Sequence, residues 1–471
     1  MLNKIGTGLG WVVMAGVALI AACVLVYVLY MFLVILTPTS LTELGATRLT
    51  AFEDHLYFFV TRRHENPRNI WVMWTNWELW ASDGTSDGTR MIKPVYTGWN
   101  QPSISPAVKT NGQFFFAANG VEDKADAQSG KNRGGIWRSD GTAAGTVLVE
   151  KFVQDMLDVD GTLFFTKWGQ ESCDLYRSDG TESGTALLKH IPEPCAFKVI
   201  GETGRLFFAT ILTQADKSAC KIWRRDGTAS GTVIIKQFEV KPGEWCARDM
   251  VLFNDRLILL LTERGTINSE LWISDSSGSE MALLRQIPGA FIENRNFRIL
   301  HLASGYMFFS TTSGGQTDEC ALWVSDGTAD GTHALKSVCL DQYRMMPVDN
   351  GLLFAMDVPP SGWELWHSDG TLEGTQRVRG GFTFGREGLR PRLLLVDNGI
   401  LYLAINDDQG CALWRTDGTA AGTEPIQRAC PEQMISVNDT LFYVLPRTET
   451  QVELWKSDGT EQGTVRVKTI P

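Results

Sequence analysis

Hydrophobic and polar residues alternate along this chain in two regimes. From Leu9 to Leu36 there are 28 residues without a charge. At about 1.5 Å per residue a helix of that length exceeds the ~30 Å hydrocarbon layer, which predicts one membrane-spanning helix. Beyond it the pattern changes to short apolar runs broken by Gly, Asn and Asp. In one unit, Asp155–Val159, Thr162–Thr166, Asp174–Ser178 and Ala186–Ile191 read as four strands. Asp160-Gly161 is the first hairpin turn, because that pair tolerates positive φ. Asn111-Gly112, Asn254-Asp255, Asn350-Gly351, Asn398-Gly399 and Asn438-Asp439 mark the same turn elsewhere. Short strands at regular spacing with no helical period predict an all-β architecture.

The strands are organised by a repeat. Its first copy reads Glu78-Leu79-Trp80-Ala81-Ser82-Asp83-Gly84-Thr85, and the aromatic returns at Trp137, Tyr176, Trp223, Trp272, Trp323, Trp366, Trp414 and Trp455. Nine copies at intervals of 39 to 57 residues match the period of a four-stranded propeller blade. The fifth copy decays to Asp275-Ser276-Ser277. A lone four-stranded sheet cannot bury both faces, whereas sheets stacked radially cover one another. The expectation is therefore a β-propeller of nine blades, with eight as the alternative if the first or fifth unit lies outside the ring. The repeated aromatics are expected to wedge between blades, and each repeated Asp to accept hydrogen bonds within its own turn.

These residues resemble the bacterial ELWxxDGT-repeat family, and the resemblance covers about residues 46–471. The turn is also similar in style to the Asp-box turns of sialidase propellers. Membership implies an exported or surface propeller and no particular reaction. The expected division is a cytoplasmic head at 1–8, an anchor helix at 9–36, a linker at 37–45 and the propeller at 46–471. The membrane is thus one expected partner, through 9–36. Lys4 in the head favours a cytoplasmic N-terminus and a periplasmic or extracellular propeller. A cleaved signal peptide would have an apolar core about half as long. Ile20-Ala21-Ala22-Cys23 looks like a lipobox, but apolar residues continue for 13 positions beyond Cys23.

Cysteines bear on the compartment. Cys173, Cys220, Cys320 and Cys411 each precede a repeat aromatic by three residues, and Cys195, Cys246, Cys339 and Cys430 follow before the next unit. Their near-mirror placement about the turns predicts four disulfides across the third and fourth strands, and hence an oxidising compartment.

The net charge of -11 argues against a nucleic-acid partner. Six histidines show no metal-ligand spacing, and no nucleophile, phosphate-loop or dinucleotide motif occurs, so no cofactor is expected. The reading is a non-catalytic interaction or scaffold subunit, an accessory part of a membrane complex. The alternative is a glycan-binding or glycan-active propeller using its axial funnel. The most individual stretch, Thr61–Trp77, is read as a loop insertion in blade 1. Its Arg62, Arg63, Arg68, Trp71, Trp74 and Trp77 are the candidate partner contacts.

Overall fold

A computed structural model describes residues 40–471 apart from 67–68, 106, 122–134, 152, 169–171, 203, 214–217, 226–230, 241–248, 263–267, 289–300, 312–319, 339, 341–344, 349, 359–361, 383–391, 408–409, 418, 420 and 432. The expected anchor helix lies outside the described residues. Among those described there is no helix.

The chain is a nine-bladed β-propeller. Seven blades are separate four-stranded antiparallel sheets, and the first two share one eight-stranded sheet. First strands meet around the axis, blade 3 with 4, 4 with 5, 6 with 7, 7 with 8, 8 with 9, and 9 with 1. The ring therefore closes between the last and first units. The degenerate fifth unit takes its place between blades 4 and 6, so the eight-bladed alternative does not hold.

Local geometry follows the turn chemistry. Asp160 and Gly161 have φ of 51° and 77°, and Asn398 and Gly399 have 48° and 75°. Two consecutive left-handed residues twist the hairpin as its strands twist. The second strand then carries adjacent large apolar residues, such as Phe115-Phe116 and Phe308-Phe309, which point to opposite faces. On the third strand, Leu and Trp of the repeat do the same. Each sheet is thus apolar on both faces.

Nine apolar clusters among the described residues fill the nine joints. Leu79 packs towards blade 2, while Trp80 packs towards blade 9. Every blade repeats this division. The aromatic also lies over a second-strand ring of its own blade, as in Phe116–Trp137 at 6.4 Å and 4°, and Phe165–Tyr176 at 5.3 Å and 2°.

One device was not anticipated. In all nine blades the pairing of third and fourth strands slips immediately before the aromatic, as between Leu79 and Trp80. The slip is a β-bulge, which places one extra residue in the fourth strand. That residue is Ile92, Val149, Leu188, Ile235, Leu284, Leu335, Val378, Ile426 or Val467, always twelve positions after the aromatic. Each turns into the joint with the following blade.

Gly180 shows how tightly the blades meet. Its φ is +92°, and a Cβ there would lie 2.7 Å from Cζ of Phe115 in the preceding blade. Gly399, at φ +75°, has open space around it. Gly399→Ala is expected to cost about 1 kcal/mol, from the left-handed backbone alone. Gly180→Ala adds the clash and should cost roughly 2–4 kcal/mol. Equal losses in denaturant unfolding would contradict this packing.

Candidate functional site

The repeated polar residues form a closed network inside each turn. In blade 1 the Asp83 carboxylate accepts from the Thr85 N–H at 2.8 Å and the Thr85 hydroxyl at 2.7 Å. Gly88 N–H donates to Thr85 Oγ1 at 3.0 Å, and Thr89 Oγ1 donates to Thr85 O at 2.6 Å. Ser82 Oγ, buried against Thr89 Oγ1, accepts from Gly84 N–H at 3.1 Å. The same bonds recur around Asp140, Asp179, Asp326, Asp369, Asp417 and Asp458. These carboxyls serve the turns. Donation by Thr181 holds the Asp179 carboxyl below the usual carboxylate range, and the other turns do likewise.

The turn also clasps its neighbour. Arg138 Nη1 of blade 2 donates to Gly180 O of blade 3 at 2.9 Å, Arg415 to Gly459 O at 3.2 Å, and Lys456 of blade 9 to Gly84 O of blade 1 at 2.9 Å. A fourth-strand cation adds a second tie. Lys93 Nζ reaches Ala143 O and Thr146 O at 3.1 and 2.7 Å, and Lys468 reaches Ser86 O and Thr89 O at 2.8 and 2.7 Å. In the same position, Lys236 and Lys336 lie 4.5 and 3.8 Å from the ring centroids of Trp272 and Trp366 in the next blade. Such contacts attract the cation to the negative ring face. The repeat aromatics are thus structural elements of the joints.

Cysteines tie the blades at one end. Cys173 in the third strand of blade 3 bonds Cys195, the first residue of the first strand of blade 4, with Cα atoms 4.8 Å apart. Cys411 bonds Cys430, with Cα atoms 5.4 Å apart. Cys430 lies in the connection beyond Gln427, where the fourth strand of blade 8 ends. The expected positions directly across strands three and four are corrected accordingly. The fourth strand ends before the second cysteine, so Cys195 opens the next blade and Cys430 lies three residues beyond Gln427. Cys220 and Cys320 are also disulfide-bonded. Their expected partners Cys246 and Cys339 lie outside the described residues.

Blade 1 departs from the others. Its strands Ser40–Phe52, His55–Asn66, Asn69–Ser82 and Arg90–Ile104 are much longer than those of the later blades. Within the stretch Thr61–Trp77, expected as a loop, the residues up to Asn66 continue the second strand and those from Asn69 begin the third. The run Ile70 to Thr75, β-branched or aromatic apart from Met73, favours extended backbone. The first strand begins at Ser40, inside the expected linker. Trp99, Ser103 and Ile104 of the fourth strand pair with Val121, Asn119 and Ala118 of blade 2, fusing the two sheets.

The six candidate contacts divide. Arg62 Nε donates to Glu78 Oε1 at 3.0 Å, Glu78 Oε2 accepts from the Trp80 indole at 3.0 Å, and Arg62 Nη1 donates to Pro471 O. Arg62 is therefore committed to the closing joint. Trp77 is 7% exposed within the joint of blades 1 and 2, and so is core, not a surface contact. Arg63 pairs in register with Thr75. Trp71 and Trp74 lie on the outer part of the third strand, with Trp74 in register with His64. Arg68 lies outside the described residues.

No protein-family model matches the chain, and no curated protein matches it in sequence. Solved structures do. The chain is similar to an acylaminoacyl peptidase of Pyrococcus horikoshii at 10% identity and TM-score 0.41, over 78% of this chain and 52% of that one. It is similar to the β-propeller domain of the Trilobed protease from Pyrococcus furiosus at 11% and 0.37, over 78% and 95%. A Listeria monocytogenes protein matches at 9% and 0.36, over 68% and 95%. The chain spans about half the length of the first of these peptidases. The likenesses are of shape alone.

The turn carboxyls generate a pH prediction. Their folded pKa values lie below the unfolded ones, so their contribution is present above pH ~4 and lost as pH falls through the folded values. Tm should be flat from pH 8 to 5 and fall below about pH 4. Asp179→Asn and Asp458→Asn together should make that acid slope shallower. An unchanged slope in the double variant would contradict the carboxylate's role.

Proposed function

We propose that the chain is a membrane-anchored propeller held outside the cytoplasm, where it acts as a non-catalytic interaction scaffold, an accessory subunit of a membrane complex. One observation carries this reading. The repeated polar and aromatic residues are spent on the chain's own joints, which makes the disc rigid, and individuality is left to the ends of the strands. In an antiparallel blade, the start of the first and third strands and the end of the second and fourth share one face of the disc. The bonded cysteines Cys173, Cys195, Cys411 and Cys430 lie at that face, as does the enlargement of blade 1. The disulfides support an oxidising compartment. The uncharged run Leu9–Leu36 supports an anchor.

Purification from native membranes in mild detergent tests the proposal. The chain should elute with a second protein in fixed stoichiometry, at a mass above that of its own monomer, and salt should not strip it from the membrane. Recovery of a lone monomer, or of a chain released by salt, would count against the scaffold or the anchor respectively.

A further inference from the structure

The bonded cysteines of the third strands occupy equivalent positions and unequal surroundings. Cys173, Cys220, Cys320 and Cys411 each stand three residues before a repeat aromatic. The first three are 0, 0 and 6% exposed. Cys173 and its partner Cys195 are part of the apolar cluster between blades 3 and 4, and Cys220 is part of that between blades 4 and 5. Cys411 is only half-buried, and its partner Cys430 is exposed. The strand end beside them is open as well. Gly410 precedes Cys411 with a φ of +108°, and apart from its chain neighbours no atom lies within 4 Å of where a Cβ would stand.

The connection that carries Cys430 is also held by contacts other than the bridge. It runs from Gln427, where the fourth strand of blade 8 ends, to Met434, where blade 9 begins. At its start, Gln427 Oε1 accepts from the Tyr443 hydroxyl of blade 9, and Gln427 O accepts from the Ala429 N–H at 3.0 Å. Pro431 is buried. At its end, Gln433 Oε1 accepts from the Arg48 N–H of blade 1 at 2.7 Å. Opening the bridge leaves all of these in place. The Cys173–Cys195 bridge, by contrast, fills the interior of a joint. A thiolate opens a disulfide by attacking one of its sulfurs, so access to that sulfur governs the rate. Burial shields the bridge of blade 3, while the bridge of blade 8 presents Cys430 to solvent.

We propose that Cys411–Cys430 is a thiol-exchange site, at which an incoming thiol is captured on Cys430. The thiolate attacks Cys430 Sγ and forms a new S–S bond. The bond to Cys411 breaks, its electron pair leaves on Cys411 Sγ, and that sulfur takes up a proton. One disulfide replaces another, so the step consumes no oxidant. Cys411, once deprotonated, reverses it by attacking Cys430 and expelling the guest. The ligand is a thiol, of a small molecule or of a protein cysteine. The site needs only the oxidised pair, and it stands whether or not the chain is anchored or serves as a scaffold.

The test uses the full folded chain in mild detergent at mildly alkaline pH, where thiolates are populated. One sample receives glutathione, and another a small protein with a single surface cysteine. Early time points are quenched in acid, free thiols are blocked with N-ethylmaleimide, and the bridges are read by mass spectrometry of an acid digest. The Cys430 peptide should carry the guest and the Cys411 peptide the maleimide. This bridge should open at least about tenfold faster than Cys173–Cys195, with tryptophan emission unchanged. In urea, where the fold no longer shields either pair, the two bridges should open within about threefold of each other. Capture of both probes assigns the site to protein and small thiols, and capture of glutathione alone assigns it to small thiols. Capture of neither, a guest found on Cys411, or equal opening of the two bridges in the folded chain overturns the proposal.

Discussion

Everything in this molecule follows from sheets that are apolar on both sides. Leu and Trp, one residue apart in the repeat, must face opposite ways on a strand. Neither face can be left to water, since a large buried side chain is worth about 1.5–3 kcal/mol over an exposed one. A row of such blades would still leave two bare ends. Closing the ring removes both. The side of blade 9 carrying Phe442, Leu454 and Val467 meets the side of blade 1 carrying Leu56, Phe58 and Trp80. The closing joint is built as the others are, with Phe442 against Gly84 and Lys456 on its carbonyl.

Because the joint imposes the constraint, chemistry can drift as long as its role is kept. Blade 4 has Lys221 where others have the Glu that accepts from the indole. There Trp223 donates to Thr210 at 2.9 Å, and Thr210 donates at 2.9 Å to Glu193, from the preceding connection. Lys221 pairs with that same Glu193. Blade 2 has Glu150 where others have a cation. Lys167 of blade 3 answers it at 3.0 Å and lies 4.4 Å from the ring centroid of Tyr176. In blade 5 the altered turn has Asp275 accepting from the N–H groups of Ser279 and Glu280 at 2.7 and 3.1 Å. The fifth unit loses its motif and keeps its joint.

The period, the hairpin turns and the blade count were legible because each rests on local chemistry that recurs. Asp160-Gly161 announces its turn by itself. The bulge was also written in the chain, as an apolar residue twelve positions after every aromatic. Strict alternation hides it, since one inserted residue reverses the parity of the fourth strand. The cysteine positions were misjudged for a different reason. Cys411 and Cys430 are symmetric about the middle of their motif, but the strands pair Arg415 with Glu424, about a point one residue earlier, and the fourth strand ends at Gln427, short of Cys430. In blade 1, Thr61–Trp77 looked like a loop because it breaks the length of the repeat. Its strand character lies in the pairing of Ser40–Gly45 with Thr61–Glu65, a partnership no single-strand pattern reveals. Trp77 resembled its neighbours in sequence, and it is buried in the joint of blades 1 and 2 with the ring of Phe59 6.3 Å away.

The most direct test of the closed ring compares Phe442→Ala, at the closing joint, with Phe115→Ala, at the joint of blades 2 and 3. Both rings are nearly or fully buried and both sit against a turn glycine of the next blade. Denaturant unfolding followed by tryptophan fluorescence and by hydrogen exchange should show one transition in each variant. Each should lose about 3–5 kcal/mol, since the joints are equivalent. If Phe442→Ala left the main transition in place and freed only blades 1 and 9 to exchange, the ring would not be closed by the interaction described.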